Sequence, residues 1–580
     1  MHVVATAGHV DHGKSTLVQA LTGHDPDRLE EEKRRGLSIR LGYCWTTLDP
    51  VGEVAFVDVP GHERFLATTL AGLGPAPAVM FVVAADDPWM PQAAEHLAAL
   101  DALGVRHGLL VVTRADLADP APAMAAARHE LAGTSLVDVP AVAVSGRTGQ
   151  GLDALRAALA GVLGQLPLPD PASPVRLWVD RRFHVRGTGT VVTGTLPAGT
   201  VRVGDQLAVG DARVRVRHLQ TLQRRVDAVT GPARVALDLG GRVPDALGHD
   251  SVLVSPEAFC WTTQVDVRLR GAGNPPQRPL LHVGAVAVAA HLRPLGDGFV
   301  RLALDRALPL HHGDRAVLRD PGDRRLWGVQ VLDPDPPPLR RRGAAAGRAH
   351  DLADLDGGMA AALRVRGQAR RSDLLRLGLR DDLTDETAVV AGDRLLARDR
   401  ATALAARLRS LVEAAPAGLA PRAAAQQLGL ADEGLVAPLV EPPVAFLDGR
   451  LGLDRGPSEA DRRIVDLLRR ELDGNPFAAP DADRLRELGI PDAELARLAR
   501  AGQVLRLAAG VVLLPEATSR ALALLADLPQ PFTASEARRA LGSSRRVVLP
   551  LLAHLDRNGA TLRLPDDRRR LRASAPAQAH

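Results

Sequence analysis

Up to about Gln165, short apolar runs centred near Val3, Val54, Met80, Leu109 and Ala141 alternate with stretches patterned as helices. That alternation predicts an α/β domain on a parallel sheet, since each return to a parallel strand needs a covering helix. Leu166-Pro167-Leu168-Pro169-Asp170-Pro171 breaks the pattern and is expected to be an extended linker. From Val175 to about Val331 the chain turns to β-branched runs cut by glycine turns, as in Gly189-Thr190-Val191-Val192-Thr193-Gly194-Thr195. No helical period intervenes, and the length suits two antiparallel β-barrels. A second proline-rich linker is expected from Asp335 to Arg342. Helical patterns then return in small units that close on apolar hairpins, at Gly502 to Leu514 and again at Gly559 to Arg568. Three helices and a two-stranded hairpin describe a winged helix, so a serial array of about four such units is expected. The expected boundaries are residues 1–168, 174–256, 257–335 and 344–580, with the last unit near 518–575.

Composition narrows the class. The chain has 580 residues, 46% hydrophobic and 24% charged, which fits a multidomain globular protein. No run approaches the roughly 18 to 20 apolar residues that span a bilayer, and no secretory pattern precedes the first strand, so a cytoplasmic protein without a membrane partner is expected; a monomer is expected as well. Cys44 and Cys260 lie far apart and suggest neither a disulfide framework nor a metal cluster. The formal net charge of +4 does not by itself imply nucleic acid. Thr518 to His580, however, holds eleven arginines against five acidic residues, a local balance of +6, so one end is basic.

Only two of the 72 basic residues are lysines, and Lys14 lies in Gly8-His9-Val10-Asp11-His12-Gly13-Lys14-Ser15-Thr16. The spacing is that of a P-loop. Its glycines let backbone N–H groups curl around phosphates, Lys14 meets the β and γ phosphates, and Ser15 is a ligand for Mg²⁺. After the apolar run at Val54 comes Asp58-Val59-Pro60-Gly61-His62-Glu63. There Asp58 would hold Mg²⁺ through water, Gly61 would meet the γ phosphate and His62 would order the attacking water. Thr113-Arg114-Ala115-Asp116 follows another predicted strand. Asp116 can accept both the N1–H and the exocyclic amine of guanine, which points to GTP. Ser145-Gly146 would offer a backbone N–H to the guanine O6. Ser38, between the P-loop and Asp58, is the candidate hydroxyl that binds Mg²⁺ only while the γ phosphate is present.

Taken together, Gly-His-Val-Asp-His-Gly-Lys-Ser, Arg35-Gly36-Leu37-Ser38-Ile39, Asp-Val-Pro-Gly-His-Glu and Thr-Arg-Ala-Asp resemble the motifs of translational GTPases related to elongation factor Tu. The start Ala5-Thr6-Ala7-Gly8, the run Asp27 to Gly36, Leu41-Gly42-Tyr43, Asp180-Arg181-Arg182-Phe183, Gly187-Thr188-Gly189 and the winged-helix tail narrow the resemblance to bacterial selenocysteine-specific elongation factors. The resemblance implies a GTPase that carries selenocysteyl-tRNA to the ribosome and holds an mRNA hairpin beside a recoded UGA codon. It implies catalytic roles for His62 and Lys14, aminoacyl contacts for Arg181 and Arg234, and RNA contacts for Arg545, Arg546, Arg557 and Arg563. GTP, GDP and Mg²⁺ are the implied ligands. Three positions depart from the family's usual pattern: Arg40 for an aspartate, Arg114 for a lysine, and Gly248-His249-Asp250 for Arg-Gly-Asp.

Overall fold

The computed structural model describes residues 1–26, 38–87, 89–186, 189–323, 325–454 and 458–572, without the side chain of Glu63. The run from Asp27 to Leu37 and the pair Gly187-Thr188, both used above, lie outside the described residues. The chain forms two bodies, one of residues 1–411 with 420–440, the other of 412–419 with 441–580.

The first body begins with a six-stranded sheet ordered β2-β3-β1-β4-β5-β6, comprising β1 (His2–Ala7), β2 (Gly42–Leu48), β3 (Gly52–Asp58), β4 (Ala78–Ala84), β5 (Gly108–Thr113) and β6 (Ala141–Ala143). Five strands run parallel, as expected; β2 was not foreseen, and pairs antiparallel to β3 at the edge. Every residue of β4 is buried, because helices cover both faces. Successive residues of a strand alternate between faces, so Val4 and Val82 join Leu17, Val18 and Leu159 of α1 (Lys14–Thr22) and α5 (Leu152–Gly164). Val3, Ala5 and Phe81 join the opposite core, with Leu70, Leu100 and Leu131 of α2 (Leu66–Leu73), α3 (Pro91–Leu103) and α4 (Pro120–Leu131). The strand order departs in both directions from β1, to β3 on one side and β4 on the other. Ligands bind at such a switch point, beyond the carboxyl ends of the strands.

Two antiparallel barrels follow. The first runs β10-β15-β7-β8-β14-β11 and closes through β10 and β11. Its strands are β7 (Arg176–Val185), β8 (Gly189–Leu196), β10 (Gln206–Val209), β11 (Ala212–Thr221), β14 (Ala233–Gly240) and β15 (Val252–Val254); β9 (Thr200–Arg202) pairs with β13 (Ala228–Thr230), and β12 (Arg224–Val226) extends the edge. The second closes as β16-β19-β18-β17-β20-β21, from β16 (Cys260–Arg270), β17 (Leu280–Val283) and β18 (Val286–Gly296) to β19 (Phe299–Leu310), β20 (Arg315–Arg319) and β21 (Leu326–Asp333). Leu222, at the turn between β11 and β12, is buried in the apolar core around α2 and α3, which fastens the first barrel to the nucleotide-side domain. Gly328 of β21 lies so close to α3 that a Cβ there would be 2.8 Å from the Ala102 carbonyl oxygen.

Helical units return after the second barrel. A buried ion network attaches α6 (Ala344–Ala353) to it: Arg348 donates to Asp266 at 2.8 Å and to Asp333 at 2.5 Å, while Arg301 donates to Asp266 at 2.7 Å. Next come α7 (Met359–Arg366), α8 (Arg371–Arg376) and a three-stranded sheet of β22 (Gln368–Arg370), β24 (Arg394–Ala397) and β23 (Ala388–Ala391), then α9 (Arg398–Glu413) and α10 (Pro421–Leu428). The second body carries three hairpins, β25 (Val444–Leu447) with β26 (Arg450–Leu453), β27 (Leu505–Ala508) with β28 (Val511–Leu513), and β29 (Thr561–Arg563) with β30 (Arg569–Leu571). Between them lie α11 (Glu459–Glu471), α12 (Ala482–Glu487), α13 (Asp492–Arg500), α14 (Ala517–Ala526), α15 (Ala534–Ala540) and α16 (Arg545–Arg557). Helix-and-hairpin units recur as the periodicity predicted. The last two share one continuous core, from Val465 through Leu498 and Val512 to Phe532 and Leu555.

Candidate functional site

β1 ends in a loop that only unusual backbone can form. Gly8 has φ +123° and would place a Cβ 2.1 Å from the Val82 carbonyl oxygen; Asp11 and Gly13 also have positive φ, at +63° and +79°. The Gly8 N–H donates to Nδ1 of His96 at 3.0 Å, and Thr113 donates to the His12 carbonyl at 2.7 Å, so α3 and β5 both hold the loop. His96 accepts a proton poorly, because burial first, and then Lys14 and His9, push its pKa down to about 3. Burial likewise lowers His9 and His12, and the carboxylate of Asp87 lies 3.2 Å from His12. The Lys14 ammonium donates to the carbonyls of Gly8 and His9 at 3.2 and 2.7 Å. Gly61 approaches so closely that a Cβ would sit 2.6 Å from the Lys14 Nζ.

A cavity of about 470 Å³ opens over this loop, within the range of small-ligand sites. Its lining includes Val10, Asp11, Gly13, Lys14, Ser15, Thr16, Ser38, Gly61, Thr113, Arg114, Asp116, Ser145 and Gly146, so separate sequence motifs meet in one place. Gly8, His9, His12 and Asp58 are not among the lining residues. Asp25, Leu117 and Arg147 also line it, and no sequence motif had marked them. Ser145 is fully buried and its N–H donates to the Gln150 carbonyl at 2.9 Å.

The three residues assigned to a metal also converge. Ser15 Oγ donates to Asp58 Oδ2 at 2.7 Å and lies 3.2 Å from Ser38 Oγ. Thr6, missed by sequence reasoning, donates from Oγ1 to Asp58 Oδ1 at 2.6 Å and accepts from the Val59 N–H at 3.1 Å. Two hydroxyls and a carboxylate are hard oxygen donors that fit Mg²⁺.

His62 is not in the cavity lining, although its neighbour Gly61 is. Its Nδ1 accepts from the Arg64 N–H at 3.2 Å and its ring lies 6.1 Å from Phe65. On the first barrel, Arg234 is not an open cation. Its guanidinium makes a two-pronged pair with Asp180, donates to Thr193 at 3.0 Å and lies 3.7 Å from the centre of the Tyr43 ring. Arg181 lies 4.9 Å from that ring, donates to the Leu41 carbonyl and lines two neighbouring cavities.

The tail arginines also separate. Arg546, expected on RNA, donates to the carbonyls of Ala479, Pro480 and Gly510 at 2.5, 3.4 and 2.6 Å, joining the last unit to the one before it. Arg563 is paired with Asp567 at 2.6 Å, and Arg557 donates along its own helix to Ala553 at 3.3 Å. Arg545 is exposed at the start of α16.

Residues 1–165 match the family Elongation factor Tu GTP binding domain. Residues 276–338 match Selenocysteine-specific elongation factor, beta-barrel domain, and residues 523–570 match Elongation factor SelB, winged helix. The chain is 39% identical to the selenocysteine-specific elongation factor of Escherichia coli over 59% of its length and 56% of the relative's. It is 33% identical to that of Desulfomicrobium baculatum over 68% of its length and 66% of the relative's. The matches thus span less than two thirds of these curated relatives. A crystal structure of a bacterial selenocysteine-specific elongation factor superposes with a TM-score of 0.69 at 26% identity, covering 99% of this chain and 100% of that one. Fold and cavity together define a translational GTPase of the elongation factor Tu type. The switch-point cradle and the tandem barrels set that class. Within it, the chain is similar to the selenocysteine-specific elongation factors, in its GTP-binding domain, its second barrel and its terminal winged helix.

Proposed function

We propose that the chain binds and hydrolyses GTP, delivers selenocysteyl-tRNA to the ribosome at recoded UGA codons, and uses its tail to hold an mRNA hairpin. The observation that carries this is one chain's union of an elongation-factor GTPase, two closed barrels and a basic terminal winged helix. The reaction is attack of water on the γ phosphate of GTP, giving GDP and phosphate. Lys14 stabilises charge that grows on the phosphate oxygens in a site where backbone donors are already fixed. Asp116 selects guanine and Arg114 borders the base; with the Ser145 N–H engaged by Gln150, the donor to O6 falls to Gly146. Ser15, Ser38 and Asp58 would hold Mg²⁺, which supplies charge neutralisation at the phosphates. His62 orders the water, and because it stands outside the cavity lining, the active arrangement requires it to move inward on the ribosome.

Selenocysteine differs from its serine precursor in charge, since a selenol is largely ionised at neutral pH and a hydroxyl is not. Arg181 supplies the discriminating cation, and Arg234 acts with it once the Asp180 pair is shared or opened. Arg545 and Arg557 contact the hairpin, while Arg546 and Arg563 shape the surface that presents them. The protein works as a cytoplasmic monomer. The test is reconstituted translation of a reading frame with a UGA codon followed by a hairpin from the same genome. Read-through that needs the chain, the hairpin and selenocysteyl-tRNA is expected; read-through without the hairpin would refute the role of the tail.

A general elongation-factor-Tu-like carrier of ordinary aminoacyl-tRNAs is disfavoured by the winged-helix match at residues 523–570. A GTP-switched regulator with a DNA-binding tail is a further reading. Comparing binding of the full chain to an RNA hairpin and to duplex DNA separates it from the first.

A further inference from the structure

Arg114 occupies a place where the family usually has lysine, and the exchange creates a new demand. An ammonium is a compact point charge, whereas a guanidinium brings five N–H donors in a planar fork that must be matched. One arm of Arg114 donates to the Asp11 carbonyl of the P-loop, and the other donates to both carboxylate oxygens of Asp86, at 3.1 and 3.2 Å. Arg114 lies in the left-handed region at φ +57°, beside Asp116 and Leu117 in the wall of the cavity. Asp86 belongs to the turn after β4, where the Ala85 N–H donates to the Thr113 carbonyl at 2.9 Å. The next residue, Asp87, reaches His12 of the P-loop at 3.2 Å. Two consecutive carboxylates therefore clasp the two loops between which a nucleotide must sit, one through Arg114 and one through His12.

We infer that Asp86 is a positioning residue for nucleotide retention: it fixes the Arg114 fork across the seam between the P-loop and the base-recognition loop. The inference rests on reading the cavity as a guanine site. Asp86 and Arg114 side chains are 31% and 35% exposed, so the pair is partly screened and contributes little to overall stability. Its leverage is geometric. With Asp86 removed, the fork keeps only its P-loop carbonyl and the base-recognition loop can part from the P-loop more easily.

The test is the dissociation rate of fluorescently labelled GDP and GTP from the full-length chain, for the unaltered protein, D86A, D86E, R114K and the double variant D86A/R114K. D86A is expected to speed dissociation about fivefold, the scale of one partly exposed, two-pronged charged contact. D86E should recover part of the loss, and the difference should narrow at high salt. In R114K the lysine serves the Asp11 carbonyl, so adding D86A should change the rate less than twofold. A D86A rate equal to that of the unaltered chain would overturn the proposal, as would the same factor in both backgrounds. Failure of the unaltered chain to retain guanine nucleotide would overturn the guanine reading itself, and the proposal with it.

Discussion

Replacing Thr6 with valine keeps the shape of the side chain and removes one oxygen. Thr6 and Asp58 are both fully buried, so water cannot take the place of that oxygen. Two bonds disappear: the 2.6 Å donation to Asp58 Oδ1 and the 3.1 Å acceptance from the Val59 N–H. A hydrogen bond to a buried charge contributes about 1.5–3 kcal/mol and an orphaned buried N–H costs about 1–3 kcal/mol, so about 2.5–6 kcal/mol is at stake before relaxation. Asp58 keeps its second anchor, the 2.7 Å bond from Ser15, so the carboxylate is loosened rather than released. If about 1.4 kcal/mol of the loss falls on the position of Asp58, the Mg²⁺ concentration needed to retain GTP rises about tenfold. The assay is retention of labelled GTP by the full chain across a Mg²⁺ titration, with T6S as the variant that keeps the hydroxyl. A folded T6V protein with an unchanged Mg²⁺ dependence would refute the reasoning.

Three further outcomes are expected. H62A should bind GTP as before and lose ribosome-stimulated turnover, measured as phosphate release with and without ribosomes; undiminished stimulation would contradict the role of His62. R546A should reduce hydrogen-exchange protection around Ala479 and Gly510, while R545A should weaken hairpin binding without altering that protection. The His96 pKa, lowered to about 3 from its ordinary 6.5, makes its contribution to stability complete above pH 6.5 and progressively lost as pH falls toward 3. In H96N an amide oxygen accepts the Gly8 N–H without titrating, so thermal stability of that variant should fall less between pH 7 and 5 than that of the unaltered chain.

The phosphate cradle was legible because its chemistry is local: apolar Val3 to Ala5, the glycines at 8 and 13, Lys14 and Ser15 lie within one strand, loop and helix. Asp58, Asp116 and Ser145 were legible because each follows its own apolar run, and parallel strands deliver such ends to one edge. β2 escaped because its short apolar stretch, Tyr-Cys-Trp in Gly-Tyr-Cys-Trp-Thr-Thr-Leu, gives way to two threonines and forms no long apolar run. The contacts of the arginines were not legible for a different reason. Exposure can be guessed from composition, but the partners of Arg234 and Arg546 lie up to 54 and 67 positions away, at Asp180 and Ala479, and only the folded chain brings them together. Nothing in the sequence marks Thr6 or His96 for a role of its own; Thr6 acts through its bonds with Asp58 and the Val59 N–H, and His96 through the bond it accepts from Gly8.

The central claim is most directly tested by measuring equilibrium binding of selenocysteyl-tRNA and seryl-tRNA, each on the same tRNA body, to the full chain with a non-hydrolysable GTP analogue and with GDP. Tight binding of selenocysteyl-tRNA with the GTP analogue is expected, weakened by at least tenfold when serine replaces selenocysteine and weakened again with GDP. Equal affinity for the two aminoacyl forms, or affinity indifferent to the nucleotide, would contradict it.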